Sequence, residues 1–526
     1  MKRFNVTGTC FPDKHYMVDI HERIEIIAQM VKRGDYFCIN AGRQYGKTTT
    51  LYALRNALAA DYEVYAISFE GLADASYATE AHLAFAMLQL FQMDAMKKIC
   101  SVSKPVQELV SNAFDKYEVS SQIELGKFSI LLSRMCKAAT RPLVLIIDEV
   151  DQASNHDSFV RILGLLRAKF LDREDLPTFQ SVILAGVYDI KNLKLKIRPE
   201  AEHQYNSPWN IATKFDVDLS LPADGIERMI AEYKTDHTGI PEVDGMDAHD
   251  MAQLIYDYTS GYPFLVSRLC QIIDEKKLYW NKEGFLSALK VLYLENNTLF
   301  DDMIKKLNEF PELSKILQSM LYQGHSFTFN PDNFVFNLAK MFGFIKLNES
   351  GKASIANRIF ETRLYNYYSS NEETNRIFTQ GAIDRNQFIK DGHIDMDHLL
   401  ARFALHFNDI YSKKDGKFVE EMGRKMFLLY LKPIIYGVGN YYIESKTRDE
   451  TRTDVIIDYL GHQYIIELKI WRGNAYNERG EEQIAGYLDL YHAKKGYLVS
   501  FCFNKDKAPG TKTIQVGDKT ITEAVI

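Results

Sequence analysis

Apolar and polar positions alternate along this chain in two rhythms. Tyr36 to Asn40, Glu63 to Phe69, Leu143 to Ile147 and Ser181 to Val187 are short, nearly unbroken apolar runs. Such runs predict strands covered on both faces, as in a parallel sheet. Between them apolar residues recur at helical spacing, as over Thr49 to Ala60. Strand and helix in alternation predict an α/β unit over residues 1–222. From Ala223 to Lys290 the rhythm is helical alone, which sets off a helical segment at 223–300. Residues 301–367 carry two helical stripes, Leu313 to Leu321 and Asp332 to Met341, and then a hairpin pattern. Its arms are Gly343 to Leu347 and Lys352 to Ile355, turning at Asn348 to Gly351. Tyr368 to Thr379 is polar and reads as a linker, and Met396 to Tyr411 as a bridging helix, within 368–412. The last segment, 413–526, begins with a helix at Lys417 to Leu431. Strands follow at Tyr436 to Ser445, Thr453 to Tyr459 and Gln463 to Ile470, then a helix at Glu478 to Leu490 and a final strand at Gly496 to Phe503.

Chemistry enters first at the end of the first strand. Ala41-Gly42-Arg43-Gln44-Tyr45-Gly46-Lys47-Thr48 lies between a strand and a helix, the context of a phosphate-binding loop. Backbone N–H groups from Gly42 to Thr49 surround phosphates in such a loop. Lys47 reaches the outer phosphates and Thr48 offers its hydroxyl to Mg²⁺. Ala41 stands where the motif has its first glycine, so its φ must be negative. The run Leu143 to Ile147 ends in Asp148-Glu149. Asp148 is the expected second magnesium anchor, and Glu149 the carboxylate that orients and deprotonates the attacking water. Tyr188 and Asp189, beyond the fourth strand, are weaker candidates for sensing the nucleotide.

Thr259-Ser260-Gly261-Tyr262-Pro263 is a turn feeding a helix. With the loop and the Asp148-Glu149 strand, it resembles the AAA-like and archaeal-type ATPases of the additional-strand (ASCE) P-loop class, over roughly residues 1–300. The resemblance implies an ATPase sheet at 1–222 and a helical lid at 223–300. It also implies a sensor or finger arginine, for which Arg228 and Arg268 compete, and a neighbouring subunit's arginine, hence homo-oligomers. ATPases of this kind often carry a winged helix after the lid, and residues 301–367 have that layout. Lys340 is the main basic residue of its second helix, which favours packing or partner docking over reading DNA.

At the other end Asp454 falls near the start of one hairpin arm, and Glu467-Leu468-Lys469 lies on the next. Glu467 and Lys469, two apart in a strand, share a face. Folding the hairpin would bring the Asp454 and Glu467 carboxylates together, where Mg²⁺ or Mn²⁺ would relieve their repulsion. The carbonyl of Leu468 would add a ligand, and Lys469 would hold the nucleophile or neutralise charge. Tyr464, Ile466 and Leu468 are expected to face the core. The order helix, three strands, helix, strand resembles the αβββαβ core of PD-(D/E)xK restriction-endonuclease-like nucleases. Gln483 and Tyr487, with Tyr491, resemble the supporting element of their RecB-like branch. The resemblance also implies a further acid on the preceding helix, Glu421, with Glu420 as competitor.

Composition sets limits. The net charge of −7 advertises no nucleic-acid binder, so any such surface must be local. Six scattered cysteines without CxxC spacing argue for reduced thiols and against a zinc site. No apolar run approaches a membrane span, so a cytoplasmic protein without a membrane partner is expected. The first reading is an enzyme that binds and hydrolyses ATP and, under its control, cleaves phosphodiester bonds in DNA. The alternative is a nucleotide-switched DNA- or protein-binding regulator with an inactive nuclease-like domain. A motor helicase is disfavoured, since no second motor domain is present.

Overall fold

The computed structural model describes residues 2–97, 100–187, 209–323, 327–348, 351–370, 376–410, 420–435, 439–442, 455–460, 462–471, 481, 484–489, 493–502 and 510–526. The chain divides into two compact units. One comprises Met1–Met229 with Tyr262–Ser267 and Met341–Gly343. The other comprises Ile230–Gly261, Arg268–Lys340 and Phe344–Ile526.

The first unit is built on a parallel sheet of β1 (Phe37–Asn40), β2 (Glu63–Ser68), β3 (Leu143–Asp148) and β4 (Ser181–Gly186), in the order β1-β4-β3-β2. The strand last of these four in sequence thus lies between β1 and β3. β3 and β4 are buried along their whole length, as their unbroken apolar runs require. Alternate residues feed two cores. Phe37, Ile39, Val64, Val144, Ile146 and Ile183 pack with Leu51 and Leu54 of the helix Lys47–Leu58 and with Ile27 and Val31 of His21–Lys32. Cys38, Tyr65, Ile67, Leu145, Ile147 and Leu184 pack with Leu83 and Phe91 of Glu80–Ala95, Leu132 of Leu125–Ala138 and Ile162 of Asp157–Leu171.

Edge strand β2 is closed by side chains rather than by another strand. Val64 N–H donates to Ser101 Oγ and Ala66 N–H to Asp94 Oδ2. Asp94, 1% exposed, also pairs bidentately with Arg55 at 2.8 and 2.9 Å. The buried carboxylate of Glu63 accepts from the N–H and hydroxyl of both Ser103 and Thr140. Burial pushes this carboxyl up, but those four donors outweigh it and hold it below the usual range.

In the second unit, helices Ala248–Thr259 and Lys282–Leu294 precede the helices Pro311–Gln323 and Phe334–Met341. A three-stranded antiparallel sheet follows the order β5 (Phe327–Thr328), β7 (Lys352–Ile355), β6 (Ile345–Leu347). The expected hairpin is β6–β7, turning where Gly351 takes φ +72°. The two-residue β5 has too little pattern to be read in advance. The expected linker is shorter than its polarity suggested: Tyr368 lies in the helix Arg358–Ser370, and Thr379 lies in Arg376–Phe388. Tyr368 is buried with its hydroxyl donating to Ser314 O, so tertiary contact extends the helix into a polar stretch. A small hairpin, β8 (Ile389–Lys390) and β9 (His393–Ile394), leads to the bridging helix Met396–Ile410.

The C-terminal sheet contains β10 (Gly439–Tyr442), β11 (Val455–Tyr459), β12 (His462–Ile470), β13 (Lys495–Phe501), β14 (Gly510–Val516) and β15 (Lys519–Val525). Its order is β10-β11-β12-β13-β15-β14. β10–β11 and β11–β12 are antiparallel, and β12–β13 is parallel. The helix Glu420–Ile435 precedes them, and residues 484–489 are helical between β12 and β13. β13 is not the final strand, contrary to expectation. The hairpin β14–β15 extends the sheet, with β15 parallel to β13. β14 is largely exposed, so its Thr/Lys-rich sequence lacked the apolar signal of a strand.

Candidate functional site

The loop after β1 is shaped by two left-handed residues, Gln44 (φ 54°) and Gly46 (φ 81°). Residues of alternating handedness turn successive N–H groups to one side, which makes a concavity for anions. Gly46 is the N-cap of Lys47–Leu58, so the positive end of that helix faces the same concavity. Ala41 is not among the residues of positive φ, as its side chain requires.

Lys47 is buried, and its Nζ donates to Ala41 O at 2.9 Å and Gly42 O at 3.0 Å. Burial lowers the pKa of this ammonium, while Asp151, Glu149 and Asp148 oppose the shift. Thr48 Oγ1 donates to Asp148 Oδ2 at 2.9 Å, across the gap between the loop helix and the end of β3. Burial raises the Asp148 carboxyl, against bonds from Thr48 and the Glu149 N–H. Glu149 sits in the left-handed region at φ 54° and is half-buried; burial and the neighbouring Asp148 push its pKa up. Thr49 Oγ1 accepts from the N–H of Cys10. Arg43 is exposed, and Tyr45 packs edge-on to Tyr262 with centroids 4.6 Å apart. A hydroxyl and a carboxylate in contact, with a second carboxylate beside them, form a hard-oxygen donor set suited to Mg²⁺.

Sequence reasoning missed Asp151. Its carboxylate accepts from Val187 N–H, just beyond β4, and a Cβ on Gly186 would stand 2.9 Å from its Oδ1. The signal was available: Asp148-Glu149-Val150-Asp151 carries three acids in four residues. Tyr188 and Asp189 lie outside the described residues. Arg228 pairs with Asp224 at 2.7 Å, and Arg268 binds both carboxylate oxygens of Glu295.

In the C-terminal sheet Glu467 and Lys469 lie on one face of β12 and are 6% and 5% exposed. Leu468 points to the other face and is fully buried. Parallel pairing puts Glu467 beside Leu498 and Lys469 beside Ser500 of β13. Tyr487 packs with Ile465, Ile484 and Leu498, so its helix covers the face that carries Glu467. Antiparallel pairing joins Val455 to Ile466. Asp454, Gln483, Tyr491 and the side chains of Glu420 and Glu421 lie outside the described residues. Among the described residues no group of three or more His, Cys, Asp or Glu is placed to hold a metal ion. Nor is any described helix long and apolar enough to cross a membrane.

Among solved structures, the Aeropyrum pernix ORC1 protein in complex with DNA is 11% identical, covering 69% of this chain and 94% of its own, with a TM-score of 0.29. The A. pernix ORC2 protein with ADPNP and ADP is 11% identical over 67% of this chain and 93% of its own, at 0.34. Cdc6p from Pyrobaculum aerophilum is 12% identical over 70% and 98%, at 0.33. Scores this low bear on neither mechanism nor partner. No curated protein matches the chain. The model of one family, described as an AAA-like domain, matches residues 13–370, more than half of the sequence and all of the phosphate loop and its β3 carboxylates. The chain therefore belongs to the AAA-like domain family.

Proposed function

We propose that this protein binds and hydrolyses ATP at the loop after β1 and, under ATP control, cleaves phosphodiester bonds in DNA through a PD-(D/E)xK-type site in its C-terminal sheet. The observation that carries the first half is the 2.9 Å bond from Thr48 to Asp148 beneath the left-handed loop, with Lys47 beside it. Backbone N–H groups and Lys47 bind the phosphates. Thr48 and Asp148 would hold Mg²⁺, which neutralises phosphate charge. Glu149 orients the attacking water, and its raised pKa suits proton uptake. Replacing Lys47 by Ala should abolish nucleotide binding, read as the loss of thermal stabilisation by ATP.

The nuclease half is supported by the strand order β10-β11-β12-β13 and its pairing senses, the same-face Glu467 and Lys469, and the helix bearing Tyr487 on that face. This reading requires Asp454, the sequence neighbour of Val455, to join Glu467, with Glu421 and the Leu468 carbonyl completing a Mg²⁺ or Mn²⁺ site. Gln483 and Tyr487 would support the bound strand. Linear and circular DNA incubated with protein, ATP and Mg²⁺ or Mn²⁺ should be cut, and Lys469→Ala should remove cutting while sparing ATP turnover. Persistent cutting by that variant would overturn the assignment.

One observation favours the second reading, a nucleotide-switched regulator with an inactive C-terminal domain. Glu467 and Lys469 are almost fully buried, whereas groups that act on a polymer must reach it. Under that reading nucleotide alters partner binding and no strand is cut.

A further inference from the structure

Three successive carbonyls of the phosphate loop are held by side chains. Ala41 O and Gly42 O accept from Lys47 Nζ, and Arg43 O accepts from the hydroxyl of Tyr262. In a trans peptide the carbonyl oxygen and the next N–H point in opposite directions. Fixing the oxygens of residues 41–43 therefore fixes the N–H groups of Gly42, Arg43 and Gln44 on the other side. Two of those three anchors belong to Lys47, whose ammonium the phosphates also claim. The anchor from Tyr262 involves no group that binds the nucleotide, and it acts beside Gln44, the left-handed residue without a glycine's freedom.

Tyr262 is itself well fixed. It is 2% exposed, and its ring meets Tyr45 edge-on at 4.6 Å. The turn Phe342–Gly343 lies against the same loop. A Cβ on Gly42 would stand 2.8 Å from Phe342 O, so a side chain there is excluded. Gly343 takes φ +74°, and a Cβ there would lie 3.6 Å from the Tyr262 ring and 3.9 Å from that of Tyr45.

We infer that Tyr262 is a positioning residue for nucleotide binding: its hydroxyl on the Arg43 carbonyl, braced by the Phe342–Gly343 turn, keeps the loop N–H groups aimed at the phosphates independently of Lys47. The inference rests on the ATP-binding reading.

Its test uses the full chain. In Tyr262→Phe the ring stays and the hydrogen bond goes. The KM for ATP and the Kd for a fluorescent ADP should rise about fivefold, the worth of one hydrogen bond. kcat should change less than twofold, and the thermal midpoint without nucleotide should fall only by what one lost hydrogen bond costs, less than in Tyr262→Ala. Gly42→Ala, which forces the loop off Phe342 O, should weaken binding further. An unchanged KM and Kd in Tyr262→Phe overturns the inference. So does a loss of affinity that merely follows a fall in the midpoint across Tyr262→Phe and Tyr262→Ala. Lys47→Ala is the control. If it binds fluorescent ADP as the wild type does, the ATP-site reading fails; if it loses binding while Tyr262→Phe keeps it, only the positioning role fails.

Discussion

The loop after β1 and the face of β12 carry the same kinds of residue, carboxylates and a buried lysine, yet they are assembled differently. At the loop, Lys47 and Thr48 are adjacent, and Asp148 and Glu149 are adjacent. Parallel strands of one sheet bring the two pairs within hydrogen-bond reach. Each charged group there has neighbours that explain its burial: carboxylates around Lys47, the Thr48 hydroxyl on Asp148. On β12, only Glu467, Leu468 and Lys469 are local to one another. The rest of the expected set comes from a strand neighbour and two helices. A site made from two short consecutive segments depends on strand order alone. One gathered from four segments depends on every connection between them.

The sharpest way to break this comparison is to remove each lysine. Lys47→Ala should cut ATP hydrolysis by about a hundredfold or more, measured as phosphate release. Lys469→Ala should cut DNA cleavage to a similar extent and leave phosphate release alone. If Lys469→Ala instead changes only folding stability, β12 carries a structural lysine and the two regions are not functionally alike.

A smaller effect tests how the first unit holds its helix Lys47–Leu58. Arg55→Met leaves Asp94 buried without its bidentate partner and should destabilise by about 3 kcal/mol, seen in urea unfolding. Lys97, also on Asp94 at 2.9 Å, limits the loss. Glu63→Gln should cost about 2 kcal/mol at neutral pH, because five donors, the Arg141 N–H included, face a carboxylate. Its folded pKa is depressed, so this stability is complete above the unfolded carboxyl value and is lost as pH falls through the folded one. The gap in urea midpoint between Glu63→Gln and wild type should therefore close on acidification; a gap constant to pH 3 would contradict the ionised network.

The smallest effect concerns the second unit. Asp458 of β11, whose pKa burial raises, accepts from the Tyr258 hydroxyl at 2.7 Å. Tyr258→Phe should destabilise by about 1 kcal/mol. A loss confined to the second unit, read by hydrogen exchange of β11 amides, would mark the units as separately cooperative.

Legibility in the sequence followed the locality of the interactions. Unbroken apolar runs gave β3 and β4, because a strand buried on both faces tolerates little else. The phosphate loop was readable down to the sign of φ at Ala41, since helix start, glycine and lysine act within a few residues. β5 and the hairpin β14–β15 were not readable: β5 is two residues long, and β14 is largely exposed, so neither carries the apolar pattern of a strand. Asp151 escaped because its role depends on the end of β4, and Tyr262 because its hydroxyl meets a loop more than two hundred residues away in sequence.

By itself, then, the amino-acid order marked the buried strands and amphipathic helices and picked out the short stretches proposed for phosphate and metal chemistry, because periodicity and motif spacing are local properties. Tertiary structure alone decided that β4 enters between β1 and β3, that Thr48 meets Asp148, and that Tyr262 holds the loop from behind. Those contacts join residues far apart in sequence, and their geometry exists only once the sheet and its helices have packed.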